Sequence, residues 1–292
     1  YSNLSRSHIQ IGKAYSLIEK SDTDNSRQYS TYYRLNFIGD GWNEAERGQF
    51  IFKMPKTFKL QEAQRRVQLL FSEAQLIPSP KAVEESTLEP RSKYLQFHSV
   101  KPYVIDDVMA KRSERKTKYQ YHMNVRHFYY EVAFANSGKL GTDVTDIHKR
   151  RVILTLEDSF PSVLTKLRVI SESETVLSPI ESAIDNMDAQ IMKLEEVLRC
   201  STPNVENLQM ILQGSVRAGV NGGPKDIVEN FLASSSKSRY DRHLTSKLND
   251  RCQYFLFLCE LGLRVDSRYA QANRKAMHQE LAKGFHETKN LF

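Results

Sequence analysis

The chain has 292 residues, of which 40% are hydrophobic and 26% are charged, and its formal net charge is +7. This length allows one large or two medium domains, and the composition is ordinary for a globular protein. No run of about 18 apolar residues occurs and no signal-peptide pattern opens the chain, so no membrane span is expected. The positive excess, concentrated in residues 1–174, is too dilute to select among nucleic acid, an anionic membrane and an acidic protein partner.

The cysteines indicate the redox state of the compartment, and the first residue indicates that the sequence is a piece of a longer protein. Cys200, Cys252 and Cys259 are an odd number without a CxxC motif, which favours reduced thiols in a cytoplasmic protein. Cys252 and Cys259 are predicted to share one helix face and to pack in a core. The chain begins with Tyr1 rather than Met, so we expect a piece of a longer protein.

The first half of the chain, in order, predicts a short helix and then a mostly antiparallel β domain with one helix of its own. Residues 4–18 have helical spacing and are followed by a polar break at 21–26. Alternating or β-branched patterns bounded by turn residues then predict strands at 29–38, 49–53, 94–104, 124–135, 147–156 and 163–170. The additional helix is predicted at 60–71, and a loop is predicted at 78–90.

One basic stretch interrupts this domain. Residues 108–122 are charged and poor in apolar side chains, and we interpret them as a solvated excursion. The cations are a weak nucleic-acid signal, and the solvated loop is the favoured interpretation; they are Lys111, Arg112, Arg115, Lys116 and Lys118.

The second half predicts helices. Ser178, Pro179 and Glu181 occupy the N-cap, N1 and N3 positions of a capping box. An apolar seam with spacings of four and three follows at Ile180, Ile184, Met187, Ile191, Leu194 and Leu198. Further helices are predicted to begin at Thr202–Pro203, to run over 244–263, and to run from 267 to the end.

The second of these helices is interrupted. Residues 208–212 and 227–232 carry helical apolar stripes, but Gly219, Asn221, Gly222, Gly223 and Pro224 lie between them. A glycine costs about 1 kcal/mol and a proline about 3 kcal/mol in a helix interior relative to alanine. Val220 is an apolar residue within this glycine-rich loop. We expect either that it caps the core or that a partner covers it.

The fold class predicted from these patterns is α+β. Residues 1–28 would be the end of an N-terminal helical lobe, and residues 29–172 a mostly antiparallel β lobe. Residues 173–292 would be a four-helix bundle with one interrupted helix.

Motifs for covalent chemistry or metal binding do not occur in the sequence. There is no G-x-S-x-G, no H-E-x-x-H and no Cys/His metal spacing, so no metal and no cofactor are expected. Residues 219–225 imitate a phosphate-binding loop, but Pro224 lacks an amide donor, and Lys225 is followed by Asp226 rather than by Ser or Thr. Phosphate binding is therefore the less favoured function of this loop.

Several of these motifs together resemble one family. Residues 177–184 (LSPIESAI), 208–216 (LQMILQGSV) and 220–224 (VNGGP) resemble the second Dock homology region of the DOCK proteins. Residues 32–39, 50–53, 149–154 and the Phe160–Pro161 pair are similar to its β part, in the same order. The form of the loop and the Lys149-Arg150-Arg151 strand look more like the zizimin and related branches. The resemblance covers the chain from about residue 29.

The resemblance implies a guanine nucleotide exchange factor for a Rho-family GTPase of the Rac or Cdc type, which acts without covalent chemistry. By alignment with the family, Val220 is the nucleotide sensor that enters the GTPase magnesium site. The loop and the helix end before it would bind the GTPase through Gln213, Gly214, Ser215, Gly219, Asn221, Gly222 and Gly223. The family's dimerising lobe would be largely absent from this fragment, and any membrane recruitment would depend on regions outside it.

Two other function classes stay open on the sequence. The chain could be a non-catalytic module that binds a GTPase or a scaffold, which would be marked by divergence in the loop. Nucleic-acid binding through the basic β domain would require a steep salt dependence. No basic stripe with interleaved aromatic residues supports that third class, so no nucleic-acid partner is expected.

Overall fold

The chain forms two compact units in a computed structural model. The model describes residues 2–23, 29–80, 83–84, 88–103, 122–136, 138, 143–200, 203–216, 224–233, 239–269 and 275–290. The first unit comprises Tyr1–Ser26, Phe134–Lys149 and Leu177–Phe292, and the second comprises Arg27–Ala133 and Arg150–Val176. The predicted α+β class is confirmed. Within the described ranges, no helix is both long enough and apolar enough to cross a membrane.

Within the described residues, seven strands make one sheet. They are β1 (Thr31–Ile38), β2 (Gly48–Met54), β3 (Gln75–Ile77), β4 (Tyr94–Tyr103), β5 (Val125–Ala135), β6 (Ile147–Phe160) and β7 (Lys166–Leu177). Their order is β1-β2-β7-β6-β5-β4-β3, and β1 also pairs with β4, so the strand order closes on itself. The strands predicted at 29–38 and 49–53 are confirmed as β1 and β2, which pair antiparallel with Leu35 opposite Phe50. A closed order leaves fewer unpaired strand edges than an open sheet.

The alternation of side chains along β1 separates two cores of the second unit. Tyr33, Leu35 and Phe37 face one side, where helix α2 (Leu60–Leu70) contributes buried Ala63 and Val67. Tyr32 belongs to the core on the other side, together with residues of β2, β4, β5, β6 and β7. The period-two pattern of the sequence therefore has a direct physical basis, because successive side chains of a strand point to opposite faces.

Two details of the second unit differ from the sequence-based expectations. The sequence patterns do not predict strand β3, because three residues are too few to show an alternation of apolar and polar side chains. The strand pairs in parallel with Tyr94–Gln96 of β4. Strand β7 runs to Leu177, beyond the predicted end at residue 170, and residues 171–175 of this extension are polar and exposed. The basic stretch 108–121 lies outside the described residues.

The N-terminal helix is confirmed as α1 (Ser2–Thr23). Its described side chains at positions 2–19 are all exposed, including the apolar Leu4, Ile9, Tyr15 and Leu17. Residues 2–19 of this helix therefore contribute no buried side chain to the core of the first unit.

The remaining helices of the first unit share one core. They are α3 (Pro179–Leu198), α4 (Val205–Val216), α5 (Pro224–Ile227) with its π-helical continuation Val228–Leu232, α6 (Arg242–Tyr269) and α7 (Lys275–Lys289). The long helix α6 contacts α3, α4 and α7. The seam predicted for α3 is buried in this core, apart from a partly buried Leu198.

The start of α3 confirms the local signal in the sequence. The Glu181 carboxylate accepts hydrogen bonds from the Ser178 backbone N–H at 2.8 Å and from the Ser178 hydroxyl at 2.6 Å. A glutamate at N3 thus satisfies a donor that the helix geometry leaves without a partner.

The predicted starts of two other helices are wrong. Helix α4 begins at Val205 with Asn204 as its cap, because the Asn204 side-chain oxygen accepts the Asn207 N–H at 3.0 Å. Pro203 thus precedes the helix, and Thr202 lies outside the described residues. Ser267 and Tyr269 belong to the last turn of α6, and α7 begins at Lys275. The spacing of apolar residues does not indicate where α6 ends and α7 begins.

Candidate functional site

The described part of the candidate site is the last turn of α4. Gln213, Gly214 and Ser215 occupy consecutive positions there, with Gly214 exposed and Gln213 half-buried. Gly219, Val220, Asn221, Gly222 and Gly223 lie outside the described residues, and the chain is described again from Pro224, where α5 begins. The described structure therefore contains the two flanks of the loop.

Apolar packing fixes the first flank. Leu208 and Leu212 of α4 are fully buried. They lie against Gly262 of α6, where an added Cβ would be 3.3 Å from a Leu208 methyl and 3.4 Å from a Leu212 methyl. The absence of a side chain at Gly262 lets the two helices approach closely, so the course of α4 toward residue 213 is set by this contact.

Buried polar groups fix the same helix laterally. The Gln209 amide donates to one carboxylate oxygen of Asp266 at 2.9 Å, and His278 Nδ1 lies 2.8 Å from the other. Asp266 has no solvent exposure. One turn later, the Gln213 amide donates to the sulfur of Met277. A buried carboxylate is tolerated where its oxygens are hydrogen-bonded, so Asp266 joins α4, α6 and α7.

The sequence reasoning missed this network, although a signal for it exists. Position 266 continues the helical spacing of Cys259 and Leu263, both of which are buried. A carboxylate on a buried stripe predicts a hydrogen-bonded partner. Gln209 and His278 carry no comparable sign of their own, because their pairing depends on how three helices pack.

The second flank is fixed after the loop. Ile227 and Phe231 are buried, and the ring centroids of Phe231 and Tyr240 are 5.3 Å apart. The Asn230 amide donates to the Asp226 carbonyl at 2.8 Å. Both ends of the 217–223 segment thus join elements that are anchored in the same core.

The two buried thiols of the first unit are unsuited to nucleophilic chemistry. Burial raises the pKa of the Cys252 and Cys259 thiols to about 12, so both remain protonated near neutral pH. No group of His, Cys, Asp and Glu side chains among the described residues could hold a metal ion. The two flanks of the loop are helical segments packed in one core.

In the second unit, a polar cluster lies within the closed sheet. Buried Arg34 donates to the side-chain oxygens of Gln49 at 2.7 Å and Gln96 at 2.8 Å, and it faces the Tyr130 ring. Opposite Arg34 in the strand register lies His98, whose ring nitrogens have no hydrogen-bond partner in the part of the chain that the structure describes. Desolvation, with the nearby Arg34 charge, lowers the pKa of His98 to about 3.

The three consecutive basic side chains of β6 pair with other side chains of the same chain. The Arg150 side chain lies 3.5 Å from Glu174, and Arg151 pairs with Glu131. The Lys149 ammonium donates to the Asn186 side-chain oxygen at 3.2 Å. The two Arg–Glu ion pairs reduce the net positive charge of β6, whereas Lys149 keeps its charge beside a neutral amide.

Comparison with known proteins gives matches in chain order. A family profile described as "DHR-2, Lobe B" matches residues 80–159, and one described as "DHR-2, Lobe C" matches residues 193–291. Human dedicator of cytokinesis protein 8 is 29% identical over 298 residues, and the match covers 99% of this chain. Zebrafish (Danio rerio) dedicator of cytokinesis protein 11 and human dedicator of cytokinesis protein 7 are each 30% identical, and each match covers 98% of this chain.

The matches cover only part of the relatives. The chain spans 14% of the length of each of these three proteins. The two DHR-2 lobes nevertheless occur in order within the chain, and the relatives align with nearly all of it. This protein therefore belongs to the DOCK (dedicator of cytokinesis) family and carries the lobe B and lobe C parts of its DHR-2 region.

Proposed function

We propose that this chain is a guanine nucleotide exchange factor that binds a Rho-family GTPase of the Rac or Cdc type and promotes GDP release. In this proposal Val220 enters the magnesium and nucleotide site of the GTPase. Membership of the DOCK family, with the Val220-Asn221-Gly222-Gly223-Pro224 sequence intact at the expected place in lobe C, is the observation that supports it.

The proposal requires only differential binding. A nucleotide held with nanomolar affinity is bound by about 12 kcal/mol. A factor that binds the empty GTPase better than the loaded one weakens nucleotide by the same factor, because linkage is reciprocal. A valine at the magnesium site excludes the oxygen ligands that the ion needs and supplies none. GTP entering with its own magnesium would displace the valine and release the factor.

The anchored flanks suit this role. Leu208, Leu212 and the Asp266 network hold α4, while Ile227 and Phe231 hold the segment after the loop. Ordering a loop on binding costs less when its ends are already fixed. In this proposal α3, α6, α7 and the α4–α5 pair form a four-helix bundle whose interrupted member presents the loop, and the β lobe supplies the second half of the grip.

The direct test is stimulated release of a fluorescent GDP analogue from a panel of Rho GTPases. The parent chain should accelerate release from at least one member, and Val220→Ala should reduce the acceleration about tenfold or more, equivalent to about 1.4 kcal/mol. The matched control is Val205→Ala, a half-buried valine at the start of α4. Equal rates for Val220→Ala and the parent would exclude the sensor role.

A non-catalytic GTPase-binding module is the alternative. It predicts that the chain forms a complex with the nucleotide-free GTPase without accelerating nucleotide release. Measuring complex formation by size-exclusion chromatography beside the release assay separates the two functions.

A further inference from the structure

A small cleft lies in the first unit, close to the segment that follows the 217–223 loop. Its volume is ≈ 120 Å³, and its walls come from the chain between β5 and β6, the start of β6, the first two turns of α3, and the α5 region. The apolar part of the lining consists of Val144, Ile147, Pro179, Ala183, Ile227 and Phe231. Concave, mostly apolar sites of this kind bind small ligands when a few polar groups converge on them.

One polar group in the lining has no partner among the described residues. Ser182 of α3 is only 5% exposed, and its hydroxyl oxygen makes no hydrogen bond with that part of the chain. Its backbone N–H is already used, donating to the Ser178 carbonyl at 2.9 Å. A buried hydroxyl without a partner is costly, so its presence in a cleft wall indicates an acceptor or donor supplied from outside.

Other polar side chains also line the cleft. Lys149 donates to Asn186 at 3.2 Å, and Asp226 lies in the first turn after the loop. A ligand in the cleft would bury an apolar body against Ile147, Ala183 and Phe231 and meet the Ser182 hydroxyl.

We propose that this cleft is a binding site for a small aliphatic molecule that carries one hydroxyl or carbonyl group. The hydrocarbon part would fill the apolar volume, and the polar atom would pair with the Ser182 hydroxyl. An aliphatic side chain of a partner protein could fill the same volume, but it would leave the hydroxyl unpaired. The small molecule therefore satisfies both observations, and the assignment does not depend on the exchange activity.

Tethering tests this site directly. Asn186 is exposed, lines the cleft and lies four residues from Ser182, on the same side of α3. Asn186→Cys in a Cys200→Ser background can be labelled with 3-hydroxypropyl methanethiosulfonate or with the n-butyl reagent, which has a similar length and no hydroxyl. Lys193→Cys, exposed on the same helix but outside the cleft, is the matched control.

The hydroxypropyl adduct at Asn186→Cys should raise Tm by about 2 to 4 °C. The n-butyl adduct should raise it less, and the difference between the adducts should disappear when Ser182→Ala is added. Equal shifts at positions 186 and 193, or an advantage of the hydroxyl that persists without Ser182, would overturn the proposal. If a nucleotide-free Rho GTPase protects position 186 from labelling but not position 193, the occupant is a partner side chain and the small-molecule assignment is wrong.

Discussion

The side-chain amide of Gln209 donates a 2.9 Å hydrogen bond to the carboxylate of Asp266, which is fully buried. His278 lies 2.8 Å from the other oxygen of the same carboxylate. One acidic group thus connects three helices, one turn before the residues that we expect to contact a GTPase. The position of that helix end depends on a polar contact in the core as well as on apolar packing.

Removing this carboxylate should destabilise the first unit. Asp266→Ala leaves the Gln209 amide and His278 without their acceptor, and we expect the free energy of unfolding to fall by about 2 to 4 kcal/mol. Urea titration followed by circular dichroism measures the loss. Asp250→Ala, an exposed aspartate of the same helix, should change stability by less than about 0.5 kcal/mol. Equal losses for the two variants would show that the network contributes nothing.

Gly214 offers a way to separate stability from activity. No atom of the described residues lies within 4 Å of an added Cβ at this position, so Gly214→Ala should raise the free energy of unfolding by about 0.5 to 1 kcal/mol through helix propensity. If the last turn of α4 contacts the GTPase closely, the new methyl group should also slow GDP release about fivefold or more.

Gly12 of α1 is the matched control for this substitution, because its surroundings are equally open. Gly12→Ala should stabilise its helix without any effect on GDP release. A Gly214→Ala chain that is more stable and fully active would remove Gly214 from the binding surface.

His98 should make stability depend on pH in mildly acidic solution. Its pKa is lowered from 6.5 to about 3 by burial and by Arg34, so the folded chain binds fewer protons than the unfolded chain between these values. The stabilising contribution is present above pH 6.5 and is lost as pH falls toward 3, by up to about 1.4 kcal/mol per pH unit. Unfolding free energies measured at pH 7.5 and 5.5 should differ accordingly.

The parent and His98→Phe should be compared at both pH values. The variant should lose less stability on acidification, because it has no imidazole to protonate in the unfolded state. His243→Phe, at an exposed position, is the control and should retain the dependence of the parent. An identical pH dependence of the parent and His98→Phe would contradict the assignment.

The thiols should differ sharply in reactivity. Cys200 is half-buried, whereas Cys252 and Cys259 are buried and have a pKa of about 12. An aromatic disulfide reagent at pH 8 should modify one thiol of the folded chain and three in urea. Cys200→Ser should abolish the reaction of the folded chain, and fast labelling that survives this substitution would show that a core cysteine becomes exposed.

The sequence alone determined the features that depend on short-range pattern. The cap at Ser178 and Glu181 forms as predicted, because all of its partners lie within four residues. The strand pairs β1–β2 and β5–β6 and the seams of α3 and α6 follow from alternation and helical spacing, which burial imposes directly. The resemblance to the DOCK family, carried by collinear motifs, was also confirmed.

The tertiary structure decided what depends on residues far apart in the chain. The pairing of β3 with β4, the closure of the sheet through β1 and β4, and the boundary between α6 and α7 have no local signature. Asp266 becomes a junction only when Gln209 and His278 are brought to it from other helices. Contacts of this kind are determined by tertiary packing. Local propensity cannot specify which residues pair when those residues are far apart in the chain.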